Sequence, residues 1–259
     1  MKNFIIGIGG SATNDGGAGM AQALGVHLLD SEGNEIKRGG LELNKLQSIN
    51  LSELDGRVHD SKFMVACDVS NPLCGPEGAS AVYGPQKGAT PEMIELLDSG
   101  LSNMSTVVKH DVGLEIMDMA GAGAAGGLGG GLVAFINGTL RPGVDIVLDA
   151  VQLQEKMIGA DLVITGEGQM DFQTVYSKAP IGVAKMANSM GIPVIGISGS
   201  LGKGFEEVHD HGVQAAISII NAPMKLSEAS ERARGLVSSA TEQALRIMRI
   251  GVKVFDERT

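Results

Sequence analysis

Read for the spacing of apolar and polar positions, the chain alternates between continuous apolar runs and amphipathic stretches. "NFIIGI" predicts a strand, "AGMAQALGVHLL" a helix after it, and "KFMVACD" a second strand. Thr90 and Pro91 open a long helix, with Thr as N-cap and Pro in the first turn. Its apolar face runs through Ile94, Leu97, Leu101, Met104 and Val108 at helical spacing. "AGAGAAGGLGGGLVAFING" is a glycine-rich segment that turns apolar at Leu132. Past residue 150 the rhythm is regular. "ADLVITGEG", "PVIGISGS" and "VQAAISII" predict strands; "KAPIGVAKMANSMG", closed by Gly191, and "GFEEVHDHG" predict helices. A last helix is expected to be capped by Ser227, with Ala233, Leu236, Val237, Ala240, Ala244 and Met248 on one face. Apolar strands alternating with amphipathic helices indicate an α/β fold with parallel sheet covered on both faces. A domain boundary is placed near residue 150.

Composition narrows the classes. Apolar residues make up 43 % of 259 but aromatics only 3 %, so the core is expected to be aliphatic. The net charge is −10 and no basic patch stands out, which argues against a nucleic-acid or anionic-membrane partner. No apolar run approaches the roughly 20 residues of a membrane span. "MKNFIIGIGG" is too short an apolar stretch for a signal peptide. Cys67 and Cys74 match neither a zinc nor a redox spacing and read as reduced thiols, so a cytoplasmic protein is expected. The five histidines form no apparent metal pair or triad.

Ligands of parallel α/β sheets bind beyond the carboxyl ends of strands. Four strand ends here combine glycine with polar residues: "GIGGSATNDGG" (7–17), "CDVSNPLCG" (67–75), "TGEGQMDFQT" (165–174) and "SGSLGKG" (198–204). Known phosphate loops fit poorly. "GISGSLGKG" has Ile197 where a Walker A motif needs its first glycine, and Gly204 after Lys203. Gly7, Gly9 and Ala12 nearly satisfy a dinucleotide fingerprint. Gly121, Gly123 and Gly126 match it but follow a poor strand. The loops carry Asp15, Asp68, Glu167 and Asp171, carboxylates suited to Mg²⁺ shared with substrate phosphates or to accepting a hydroxyl proton. Helix capping is the competing role for Asp15 and Asp171. Lys87 and Lys203 are the loop lysines that could face a phosphate.

These motifs, "GIGGSATNDGGAGM", "ACDVSNPLCGPEGASAVYGPQKGA", "ITGEGQMDFQT" and "SGSLGKG", resemble in kind and order those of the bacterial glycerate kinase family over essentially the whole chain. The resemblance implies ATP- and Mg²⁺-dependent phosphorylation of D-glycerate, with 2-phosphoglycerate the favoured product. It implies two α/β domains with substrate in the cleft between them. One is flavodoxin-like, represented by residues 151–259, and one is an inserted restriction-endonuclease-like domain, represented by most of 1–150. Family members begin with a further strand and an Ala-Pro-Asp-Ser-Phe-Lys-type loop that has no match here, so the flavodoxin-like part is expected to be incomplete. An inactive shortened homologue that binds a small acid or a partner chain is the alternative, and a homo-oligomer is compatible with either reading.

Residue roles follow from motif position and chemistry. Gly9, Gly10, Ser11, Asn14 and Asn71 are expected to bind glycerate. Gly166, Gly168, Thr174, Ser200 and Lys203 are expected to hold the nucleotide phosphates. Asp68 and Glu167 are the metal-side carboxylates. Asp171, then Asp15, is the candidate for orienting the attacking hydroxyl.

Overall fold

The computed structural model describes residues 2–176 and 178–256. It divides into two compact units, Met1–Ile146 and Val147–Thr259.

In the first unit, β1 (Lys2–Gly7) leads through a polar loop to α1 (Ala18–Ala23) and β2 (His27–Leu29). Next come β3 (Ser48–Asn50), α2 (Gly56–His59) and β4 (Ser61–Ala66). They are followed by α3 (Ala79–Tyr83), α4 (Pro91–Asp111), α5 (Leu128–Ile136) and β5 (Thr139–Arg141). β1, β4 and β5 form a parallel sheet in that order, with Ile6 opposite Val65 and Val65 opposite Leu140. The core is aliphatic, with Leu28, Leu43, Leu46, Leu73, Leu101, Met104, Ile116 and Leu132 fully enclosed.

Thr90 caps α4 as its sequence indicates: Oγ1 accepts from Met93 N at 3.3 Å. Leu101, Met104 and Val108 of the expected face are buried. Two expectations change, and the glycine-rich segment acquires an assignment. "AGMAQALGVHLL" is not one helix; Gly25, at φ +91°, ends the helical turn and His27–Leu29 pairs antiparallel with β3. A side chain at Gly25 would strike the Glu53 carbonyl at 2.2 Å. α5 is helical despite Gly129, Gly130 and Gly131. And β1 is not covered on both faces, for Phe4 and Ile5 remain exposed on this edge strand.

α6 (Gly143–Ala150) carries the chain into the second unit. There α7 (Leu153–Lys156), β6 (Val163–Thr165), β7 (Gln169–Met170), α8 (Ala179–Ser189) and β8 (Val194–Ser198) follow. β9 (Ser200–Leu201), β10 (Ala215–Ser218), α9 (Leu226–Glu231) and α10 (Ala233–Asp256) complete it. β10, β8 and β6 form a parallel sheet with β8 central and wholly buried. Val194 packs with Ile181, Ala184 and Ala187 of α8, whereas Ile195 and Ile197 pack with Ala229 and Leu236 of α9 and α10. Successive side chains thus enter opposite layers, as strand geometry requires. Ser227 does not cap the last helix. It lies inside α9, whose N-cap is Lys225, and Ala233 begins a separate helix.

Candidate active site

Parallel pairing of β1 with β4 brings their carboxyl ends, and so the loops at 8–17 and 67–78, to one edge of the first unit. A cavity of about 250 Å³ lies there, walled by Ile8, Gly9, Gly10, Ser11, Cys67, Asp68 and Val69. Tyr83, Gln86, Lys87, Ala124 and Ala125 close the other side. The glycines leave the room: a Cβ built on Gly9 or Gly10 meets nothing within 4 Å, and Gly10 sits at φ +70°. Ala125 has φ +56°, a left-handed backbone that side chains rarely adopt and that tends to persist at functional sites.

Lys87 ends the short 3₁₀ turn Pro85–Lys87. Its ammonium donates to Ser11 Oγ at 2.9 Å and to the Thr13 carbonyl at 2.7 Å. Burial depresses its pKa, with the Asp15 charge opposing the shift. A cation and a glycine loop around a small pocket can hold a carboxylate or phosphate.

The other residues expected here serve the frame behind the wall. Asp15 accepts from Gly17 N and Gly19 N, both at 3.1 Å, and so anchors the start of α1. Asn14 Nδ2 donates to Ser80 Oγ at 2.9 Å, and its Oδ1 is buried without a partner. Asn71 Oδ1 accepts from the Tyr83 hydroxyl at 2.6 Å and its Nδ2 donates to the Glu77 carbonyl. Asp68 lines the cavity while its Oδ1 accepts from Gly143 N at 2.8 Å, at the first residue of α6. Gly121, Gly123 and Gly126 do not form a dinucleotide loop. No strand precedes them, and Gly123 lies against the Pro72 carbonyl and Gly126 against that of Thr13.

In the second unit, the loops after β6 and β8 interlock. β7 pairs with β9, Gly199 N donates to the Glu167 carbonyl and Ser200 N to that of Gly168. Buried Ser198 accepts from Met170 N at 3.0 Å. Thr174, fully buried, accepts from Asp171 N at 3.0 Å and donates to Glu167 Oε1 at 2.7 Å. Lys178 Nζ lies 3.8 Å from both Glu167 Oε2 and Asp171 Oδ1, so the two carboxylates converge on one cationic point. Asp171 also accepts from Gln173 N and Gln169 Nε2. Lys203 is exposed, and its carbonyl accepts from Phe172 N. A Cβ on Gly166 would meet the Ile197 carbonyl at 2.0 Å, so this glycine serves strand packing; Gly168 has open space around it.

Sequence reasoning left Lys87 and Lys178 out of the assigned roles. Lys87 stood in a quoted loop, but its partners lie 74 and 76 residues away. Lys178 precedes the Ala179–Pro180 helix start, a position that signals only an N-terminus.

Parallel sheets with glycine-rich polar loops at their carboxyl edges define the chain as an α/β protein. Residues 1–249 match the glycerate kinase family, and the chain belongs to it. It is 52 % identical over 93 % of its length to a glycerate kinase of Halalkalibacterium halodurans, covering 63 % of that protein. It is 48 % identical over 97 % of its length to the glycerate 2-kinase of Escherichia coli, covering 66 % of it. A crystal structure of a protein provisionally named glycerate kinase 2, from Salmonella typhimurium LT2, matches with a TM-score of 0.79 at 49 % identity. That match covers 97 % of this chain and 65 % of the other. The chain therefore spans a little under two thirds of these relatives.

Proposed function

We propose that the chain phosphorylates D-glycerate with ATP, the first unit holding the hydroxy acid and the second the nucleotide phosphates. The observation that carries this reading is the pocket at Gly9–Ser11, where the Lys87 ammonium stands over a glycine loop beside space for a small acid. Glycerate offers one carboxylate and two hydroxyls. The carboxylate would face Lys87 and the loop N–H groups; the hydroxyls would face Asp68 and Tyr83. The names of the relatives at 52 % and 48 % identity support the same substrate.

In the second unit, Glu167 and Asp171 fit a divalent cation: two carboxylates already aimed at one positive charge are the donor set Mg²⁺ shares with phosphates. Bound there, the ion would neutralise charge on the phosphoryl groups. Thr174 holds Glu167 in its rotamer, and Lys178 balances the pair when no ligand is present. Gly168, Ser200 and Lys203 present backbone and side-chain donors to phosphate oxygens, and Asp171 remains the candidate to orient the attacking hydroxyl. Asp15 and Asn71 are better read as supports of the glycerate loop, given their bonds to the frame. We further assign the unit at 151–259 to a flavodoxin-like and that at 1–150 to a restriction-endonuclease-like architecture, with the protein acting in the cytoplasm. Purified 259-residue chain, incubated with ATP, Mg²⁺ and D-glycerate, should form ADP and phosphoglycerate in equal amounts. ADP release independent of glycerate, or none, would refute the assignment.

A further inference from the structure

The second unit contains another cavity, of about 430 Å³, beside the Glu167 cluster. Its walls are apolar: Ile197 from β8, Ile219 and Ile220 beyond β10, and Ala229, Ala233 and Val237 from α9 and α10. One end is polar, formed by Glu167, Gly168, Gly199 and Ser200. Glu167 belongs both to this cavity and to the group with Thr174 and Lys178, so the apolar slot is continuous with the charged cluster. The size falls within the roughly 300–1,000 Å³ of small-molecule sites, and apolar walls with a few polar groups at one end are their usual lining.

Two details describe the mouth of the slot. Leu226 lines it yet is 84 % exposed, and Val237 is 44 % exposed, so the lip keeps apolar side chains in water. The Cβ position of Gly168 meets nothing within 4 Å, which leaves the polar end open. A ligand matched to both ends has a flat apolar portion joined to an anionic one. Of the parts of a nucleotide, only the base has that apolar face.

We infer that this cavity seats the purine base of the phosphoryl donor, with ribose and phosphates extending toward Glu167 and the 166–174 loop. The inference rests on the reading that this unit binds the nucleotide.

The chain has no Trp, so Leu226→Trp introduces a sole indole emitter at an exposed position. Adenosine and ATP should each change its emission saturably, and inorganic tripolyphosphate should not. In the same background Ala229→Leu, which fills the slot, should weaken adenosine and ATP binding at least about 10-fold. Tripolyphosphate binding, followed by calorimetry, should stay unchanged. Thermal melting checks the fold of the variant; Ala233→Leu, at a half-buried position, gives a second test if Ala229→Leu melts early. If tripolyphosphate binds but adenosine neither changes the emission nor competes with ATP, the base seat is overturned while the phosphate reading stands. Unaltered ATP affinity in a folded slot-filling variant overturns the seat alone. Absence of binding by all three ligands overturns both.

Discussion

Lys87→Met removes the ammonium but keeps most of the side-chain length. In the parent chain the ammonium bridges Ser11 Oγ and the Thr13 carbonyl. Losing a hydrogen bond to a charged group costs about 1.5–3 kcal/mol. If that group also holds the glycerate carboxylate, the same sum appears in binding, a factor of about 10–140 in KM at 1.4 kcal/mol per decade. The KM for ATP should move less than about 2-fold, because the nucleotide residues lie on other loops. Both freed acceptors can take water, as Lys87 is only half-buried, so the melting temperature should fall by no more than a few degrees. The pH dependence has a definite sign. Burial lowers the Lys87 pKa from its ordinary 10.5, so the charge that attracts the carboxylate is lost at a lower pH than in an exposed lysine. Glycerate KM should therefore rise on the alkaline side before 10.5, and this rise should be absent from Lys87→Met. The same depression means that folding releases protons in the window between the lowered value and 10.5. Stability contributed by this group therefore grows with pH there. Initial rates with glycerate and ATP varied independently, at several pH values, measure all of this. An unchanged glycerate KM together with a large loss of melting temperature would make Lys87 a strut and nothing more.

Asp171→Asn in an active form of the enzyme should lower kcat by at least about 10²-fold, the scale of a positioned acid–base group; normal turnover with a lower melting temperature would reduce Asp171 to a turn cap. Gly131→Ala should lower the melting temperature of the first unit by several degrees, since overpacking costs about 1–3 kcal/mol and its Cβ would lie 2.1 Å from the Gly16 carbonyl. Gly235→Ala, in α10 with nothing within 4 Å of the new Cβ, should be neutral or stabilising, and the pair read by differential scanning calorimetry separates packing from helix propensity. Cys74, whose thiol burial pushes up to about 12, should react with iodoacetamide at pH 8 on the order of 10³-fold more slowly than free cysteine; rapid labelling found by mass spectrometry would contradict its burial.

Elements with local signals were legible in the chain. α4 announced itself through Thr90 and Pro91, and β8 through an apolar run with no polar interruption. What escaped was set by tertiary contact. α5 has three glycines that weaken a helix locally. Two of them are required, because Gly129 lies against the Gly121 carbonyl and Gly131 against that of Gly16. Ser227 has the chemistry of a cap, but the helix begins one residue before it. At the site, the glycine loops and Glu167 were visible as strand-end motifs. Lys87 was legible only as a loop lysine that could face a phosphate and Lys178 not at all, because a cation acquires its meaning from distant partners. Asp15, second candidate for orienting the hydroxyl with helix capping as its competing role, accepts two backbone N–H groups at the start of α1.

The backbone of Gly16 touches two other parts of the first unit. Its N–H donates to the Gly126 carbonyl at 3.0 Å, and its own carbonyl lies against Gly131 of α5 with no side chain between. A segment held main chain to main chain has no small local opening available to it. The Gly16 amide should exchange with deuterium only when the whole unit opens, near the global rather than a sub-global free energy. The Gly16 end of the loop is then fixed by the fold itself. If the proposed acid binds beside it, association does not have to freeze this end of the loop, and more of the contact energy is left to appear as affinity.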